Sequence, residues 1–120
     1  MTTSNANASR APAPAHHAPC TPGLRCDFCT APLPGPTCRA YRCLDYVVHA
    51  GEALTNGPVQ GSEGDWAACD ACAWMVDHEE WDSLARRCMA SLRAEGCALP
   101  EAMLYGLLRE FHAEFNRARL

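Results

Sequence analysis

Apolar residues recur at a steady helical spacing only in the last third of the chain. Trp81, Leu84, Ala85, Cys88, Met89 and Leu92 follow one another by threes and fours, which lays a single stripe along one helix face. Gly96 follows as a stop signal, and Pro100 stands where the first turn of another helix accepts it. Along that second helix Met103, Leu104, Leu107, Leu108, Phe111 and Phe115 form the expected buried side, with Glu110, Glu114 and Arg117 outside it. Upstream the pattern is shorter and more broken. Residues 37–49 read as a short strand pair around Tyr41, Tyr46, Val47 and Val48. Residues 50–64 read as a polar, glycine-rich loop with a turn signal at Asn56-Gly57-Pro58, and 70–76 as the start of a helix that 77–80 interrupts. Residues 1–24 alternate Ala, Pro and polar side chains with nothing to bury, so they read as a disordered tail. The expected class is α+β: one domain over 25–120, with a small loop-and-strand unit over 25–78 and two C-terminal helices over 80–119.

The chemistry of that unit lies in two Cys-x-x-Cys pairs, Cys26/Cys29 and Cys69/Cys72. Each pair can present two thiolates on one tight turn, and two such turns supply the four sulfurs of a tetrahedral structural zinc site. The second pair falls at a predicted helix start, where free backbone amides and the helix dipole favour thiolates. A knuckle, a hairpin, and a second knuckle opening a helix is the order of elements in a treble-clef or zinc-ribbon-like finger. Zinc is the expected cofactor, on the order of 10 kcal/mol of folding free energy in small zinc modules. Two such pairs can also hold a rubredoxin-type iron. A thioredoxin-like dithiol would need one such motif in a βαβ pattern, and that pattern is absent.

Nine cysteines is an odd number, and residues 1–19 contain no apolar run, so a secreted disulfide scaffold is not expected. The longest apolar run, 102–108, is far too short to span a bilayer. The expected setting is a reducing cytoplasm, with no membrane partner. Of the other cysteines, Cys20, Cys38 and Cys43, with His49, could build a second metal site, although their spacing does not require one. Cys88 reads as a small buried hydrophobe and Cys97 as an incidental thiol in an interhelical turn. His16-His17 reads as part of the polar tail.

Every basic residue is Arg, and the net charge is −4. Over 26–79 only Arg39 and Arg42 stand against eight acidic residues, so the basic stripe of a dedicated nucleic-acid binder is missing. Arg39, Tyr41 and Arg42 form a small basic-aromatic cluster that could meet phosphate or an acidic partner; a solvated strand face is the favoured reading. Trp66, Trp74 and Trp81 are expected as an aromatic wall around the second knuckle. His49, Asn56 and His78 could belong to an HNH-type nuclease, but Val48 and Ala73 stand where that pattern has its further acidic or His residues.

The stretches Cys26-Asp27-Phe28-Cys29, Tyr41 to Tyr46, and Gly64-Asp65-Trp66-Ala67-Ala68-Cys69-Asp70-Ala71-Cys72 resemble a group of small proteins of actinobacteria and their phages. The resemblance extends through the Asp82–Arg86 run to Phe111-His112 and Phe115, covering roughly residues 26–118. It implies a zinc site and no particular activity. The expected function is therefore a non-catalytic protein-interaction or regulatory module with a protein partner. A nucleic-acid-binding finger and a divergent nuclease are the alternatives.

Overall fold

Among the described residues, five strands and three helices follow one another: β1 (His16–Pro19), β2 (Thr37–Tyr41), β3 (Tyr46–Val48), β4 (Gln60–Ser62), β5 (Trp66–Ala68), α1 (Asp70–Asp77), α2 (Trp81–Ala94) and α3 (Glu101–Ala118). The computed structural model describes residues 12–44, 46–48, 60–62 and 65–120. His49 and the Asn56-Gly57-Pro58 turn lie outside the described residues.

β1, β2 and β5 form an antiparallel sheet with β2 at its centre; β3 and β4 pair separately. The strand pair expected within 37–49 is thus two strands with different partners. β2 sets Ala40 and Tyr41 opposite Ala67 and Trp66 of β5. The chain leaving β2 is held by the C-terminus instead of turning back: Cys43 bridges Arg119, and the Leu44 N–H donates to the Ala118 carbonyl at 2.8 Å. No two-residue hairpin signal occurs between Tyr41 and Tyr46, and the distant partners take over.

The expected disordered tail is ordered from Pro12 onward, while residues 1–11 lie outside the described residues. β1 pairs with β2 as an edge strand whose side chains are mostly exposed, so backbone hydrogen bonds hold it. The Ala15 N–H donates to the Asp77 carboxylate at 3.1 Å, and Arg119 Nη2 donates to the Ala13 carbonyl at 2.7 Å. None of these contacts requires an apolar side chain, which is why the hydrophobic pattern does not reveal them.

α2 follows its predicted stripe: Leu84, Ala85, Cys88 and Met89 are buried, with Trp81 and Leu92 at the margins. It ends just before Gly96, whose φ is +97°. The Gly96 N–H donates to the Arg93 carbonyl and the Cys97 N–H to the Leu92 carbonyl, the two bonds of a Schellman cap. α3 is rotated from its expected face. Leu104, Leu108, His112, Phe115 and Ala118 are buried, whereas Met103 is exposed. Phe115 fixes this orientation by packing against Phe28, Tyr41 and Trp66, at centroid distances of 5.0, 5.4 and 4.9 Å. This aromatic cluster fastens the last helix to the first cysteine pair and to the sheet. Trp66 belongs to the wall expected of the three tryptophans and Trp81 lies at its edge, but Trp74 is 55% exposed. Among the described residues, no helix is long and apolar enough to cross a membrane.

Candidate metal centre

The first pair is shaped by a tight turn. The Thr30 N–H donates to the Cys26 carbonyl at 2.9 Å, and Arg25 bridges Pro32 across the turn. Inside it the amides of Phe28 and Cys29 both donate to Cys26 Sγ at 3.4 Å. Such N–H···S bonds stabilise sulfur carrying negative charge. The second pair sits at the start of α1, where Cys69 is the N-cap and its Sγ accepts the Cys72 N–H at 3.4 Å. A thiolate there takes one of the amides that every helix start leaves unpaired and gains from the helix dipole.

β5 delivers the second pair to the first. Asp27, inside the first pair, locks the two segments together: its N–H donates to the Ala67 carbonyl at 2.8 Å, and its carboxylate accepts the Ala67 N–H at 2.7 Å. Cys26, Cys29, Cys69 and Cys72 then place their sulfurs all within 4.8 Å of one another, with Cys29 and Cys69 3.7 Å apart. Four sulfurs about 2.3 Å from one zinc in a tetrahedron would lie about 3.8 Å apart. The donor set and its spacing therefore fit a tetrahedral thiolate-bound ion after a contraction of less than about 1 Å. Cys26, Cys29 and Cys72 are buried and Cys69 is half-buried.

Packed together, these thiols resist ionisation. The Cys72 thiol, then burial, push Cys26 well above the ordinary range. Burial raises Cys29. Cys72 is lowered by its bond to Cys26, but Cys88 and burial outweigh this and push it up. Cys69 behaves differently. Burial would raise it, but the Cys72 amide, the Cys72 thiol and Arg87 bring it down to about 7. A divalent cation at the centre would reverse the effect of crowding on all four, because each thiolate would then face positive charge.

Several residues around the centre carry no motif that would have marked them. Arg87 Nη2 lies 3.6 Å from Cys69 Sγ. Cys88, buried on α2, touches Cys72 and lies 3.9 Å from His112 Nε2. Thr30, in the left-handed region at φ +66°, bonds Ser91 at 2.9 Å and Glu95 at 2.7 Å, and Ser91 donates to the Cys29 carbonyl. These contacts clamp the first pair onto α2. The sequence places Cys88 in the apolar stripe of α2, but nothing in it shows that Arg87 and Ser91 beside it meet the cysteines. A groove of about 570 Å³ runs beside Cys29, between Arg25 and Arg87.

The second metal site considered for Cys20, Cys38, Cys43 and His49 is not assembled among the described residues. Cys20 and Cys38 are half-buried neighbours across β1 and β2, Cys43 is buried where the chain meets Arg119, and His49 lies outside the described residues. Asn56 is likewise outside them. His78 stacks on Trp74 at 4.1 Å, away from any cluster of ligating groups among the described residues. Arg39 is paired with Asp70 at 3.5 Å, and Tyr41 is buried with its hydroxyl on Asp77 at 2.8 Å. The basic-aromatic trio therefore does not form one exposed surface.

No family model, curated protein or solved structure matches this chain.

Proposed function

We propose that the chain is a zinc-binding, non-catalytic interaction module, with a treble-clef centre built on Cys26, Cys29, Cys69 and Cys72 and a protein partner on its exposed surface. The observation that carries the reading is the convergence of four sulfurs within 4.8 Å, with amides already donating to Cys26 and Cys69. The order of knuckle, antiparallel strands and helix-opening pair supports the treble clef. Zinc is preferred over iron because the centre joins the knuckle, the sheet and α1, a structural task that needs no redox change. The resemblance to small actinobacterial and phage proteins belongs to the same reading, as does a cytoplasmic location.

A protein partner is supported by the exposure of Trp74 at 55% and Met103 at 53% on an acidic molecule whose Arg39 is already paired. Phosphate neutralisation dominates nucleic-acid affinity, and two arginines can neutralise only a couple of phosphates. Elemental analysis of the purified protein tests the metal: one zinc per chain is expected, lost in Cys26→Ser. Visible absorbance from a thiolate-bound iron would overturn the zinc assignment. For the partner, nuclease-treated host lysate should yield a protein captured by the wild type and released by Trp74→Ala. DNA or RNA binding that survives about 0.15 M salt would move the protein to the nucleic-acid class.

A further inference from the structure

We infer that Cys20 and Cys38 form a thiol–disulfide exchange site that takes oxidising equivalents from a low-molecular-weight disulfide of the glutathione type. This pair is separate from the four-cysteine centre, and the inference does not depend on the metal.

The antiparallel register puts Ala18 opposite Cys38 and Pro19 opposite Thr37. The ladder continues one residue past β1, because the Cys20 N–H donates to the Pro36 carbonyl at 2.7 Å. Residues two apart share a face of a strand, so Cys20 and Cys38 lie on the same face as diagonal cross-strand neighbours. Burial, and then the Cys20 thiol beside it, raise the Cys38 thiol, which makes Cys38 the poorer first nucleophile. Both residues are half-buried, within reach of a small oxidant but sheltered enough to favour each other. Neither is among the four converging sulfurs. Diagonal neighbours lie about 7–8 Å apart, just beyond the usual disulfide reach, so closing the bond needs a small backbone shift. Cys20 is the first residue past β1, and a turn at Gly23, with φ +84°, follows it, so that shift falls at the end of the ladder and opens at most its last hydrogen bond, to Pro36.

The chemistry balances in two exchange steps. The Cys20 thiolate attacks one sulfur of the oxidised glutathione, whose S–S bond breaks and releases one glutathione thiolate. Cys38 gives its proton to solvent and attacks the Cys20 sulfur of the mixed disulfide, releasing the second glutathione. The protein loses two hydrogens, and the small disulfide is reduced to two thiols. The new bond closes the loop that carries Cys26 and Cys29. It ties the edge strand β1, otherwise held by backbone contacts, to the centre of the sheet.

The test exposes the full-length protein, as purified, to oxidised glutathione near pH 8, then quenches with acid, alkylates the remaining thiols under denaturing conditions and digests with trypsin. Cleavage after Arg25 and Arg39 separates Cys20 from Cys38. A bond between the two peptides, assigned to Cys38 and not Cys26 or Cys29 by fragmentation, is the expected result. The intact mass should fall by two hydrogens, and two of the nine thiols should escape alkylation. Cys38→Ser should stop at a glutathione adduct on Cys20. Closing a loop of this length should also raise Tm by about 10 °C in the oxidised wild type. Mixed disulfides that do not close in the wild type, or Cys20 and Cys38 both fully alkylated after other thiols have oxidised, would overturn the proposal. If no metal is found in the protein, the Cys20–Cys38 bond is still expected, so the two readings fail separately.

Discussion

Nη2 of Arg87, on the second turn of α2, lies 3.6 Å from Sγ of Cys69 at the start of α1. The contact joins two helices through the one thiol of the four whose ionisation is eased. Four thiolates around a divalent ion carry a net charge of −2, and a guanidinium beside the half-buried member offsets part of it. Arg87→Ala should therefore weaken metal binding by about 10–100-fold, the usual cost of losing an outer partner of a ligand. Arg87→Lys should fall between, because an ammonium keeps the charge but not the planar donors. Competition with a chromophoric chelator measures both; unchanged affinity in Arg87→Ala would remove Arg87 from the centre.

The four ligands and the remaining cysteines should separate sharply by substitution. Cys72 is fully buried between Cys26 and Cys88, and Cys72→Ser leaves three sulfurs around the ion. Most of a binding free energy on the order of 10 kcal/mol is then lost, and the cooperative thermal transition should disappear. Cys97 is half-buried in the turn after α2, where its backbone makes the hydrogen bond that matters. Cys97→Ser should cost less than about 1 kcal/mol. Calorimetry of the two variants decides; similar losses would mean that the four-sulfur cluster is not the structural anchor.

The Cys26/Cys29 and Cys69/Cys72 spacing, the α2 stripe and the Gly96 stop were legible because each is a local pattern. The partners of β2 were not. Its neighbours are β1, which is too polar to register as a strand, and β5, which comes only after β3 and β4 in the chain. The face of α3 was misplaced for a related reason. Periodicity makes Met103 and His112 alternatives at the edge of one stripe, and hydropathy selects Met103. Packing of Phe115 against Phe28 and Trp66 turns the helix so that His112 goes in and Met103 stays out. Arg87 and Asp27 were invisible as parts of the site because charged residues at exposed positions look alike until the fold brings a thiolate or an amide beside them.

The turns after α1 and α2 have the same hydrogen bonds but different residues at the left-handed position. After α1, Glu79 has φ +56°, its N–H donates to Val76 and the Glu80 N–H donates to Met75 at 2.7 Å. Glycine fills that role after α2. A Cβ in this region costs about 1–2 kcal/mol, partly offset by the extra freedom glycine brings to the unfolded chain. Glu79→Gly should stabilise the protein by about 0.5–1 kcal/mol. Gly96→Ala should destabilise it by about 1 kcal/mol, and through the backbone alone, since nothing lies within 4 Å of where its Cβ would be. Urea midpoints at constant slope measure both; shifts of the same sign would contradict the shared geometry.

His112 gives the fold a defined acid sensitivity. Its imidazole is 1% exposed, enclosed by Phe28, Trp81 and Phe111, with Cys88 as its nearest polar neighbour. Burial first, and then the charge of Arg109, hold its pKa down to about 4, from an ordinary 6.5. Between these values the unfolded chain takes up a proton that the native protein refuses. Stability is therefore flat above about pH 6.5 and falls as the pH drops toward about 4, by roughly 3 kcal/mol in all. Protonation of the metal-binding thiolates acts in the same direction, so the contribution of His112 must be read as a difference between variants. His112→Phe keeps an aromatic ring among aromatic neighbours and removes a buried Nδ1 that has no hydrogen-bond partner among the described residues. At pH 7 it should be as stable as the wild type or more so, because no good hydrogen bond is lost. Urea unfolding of both proteins from pH 7 to 4.5 should show the wild type losing more stability than the variant, with the gap opening below pH 6.5. Parallel decline of the two curves would show that the native state binds this proton as readily as the unfolded chain does.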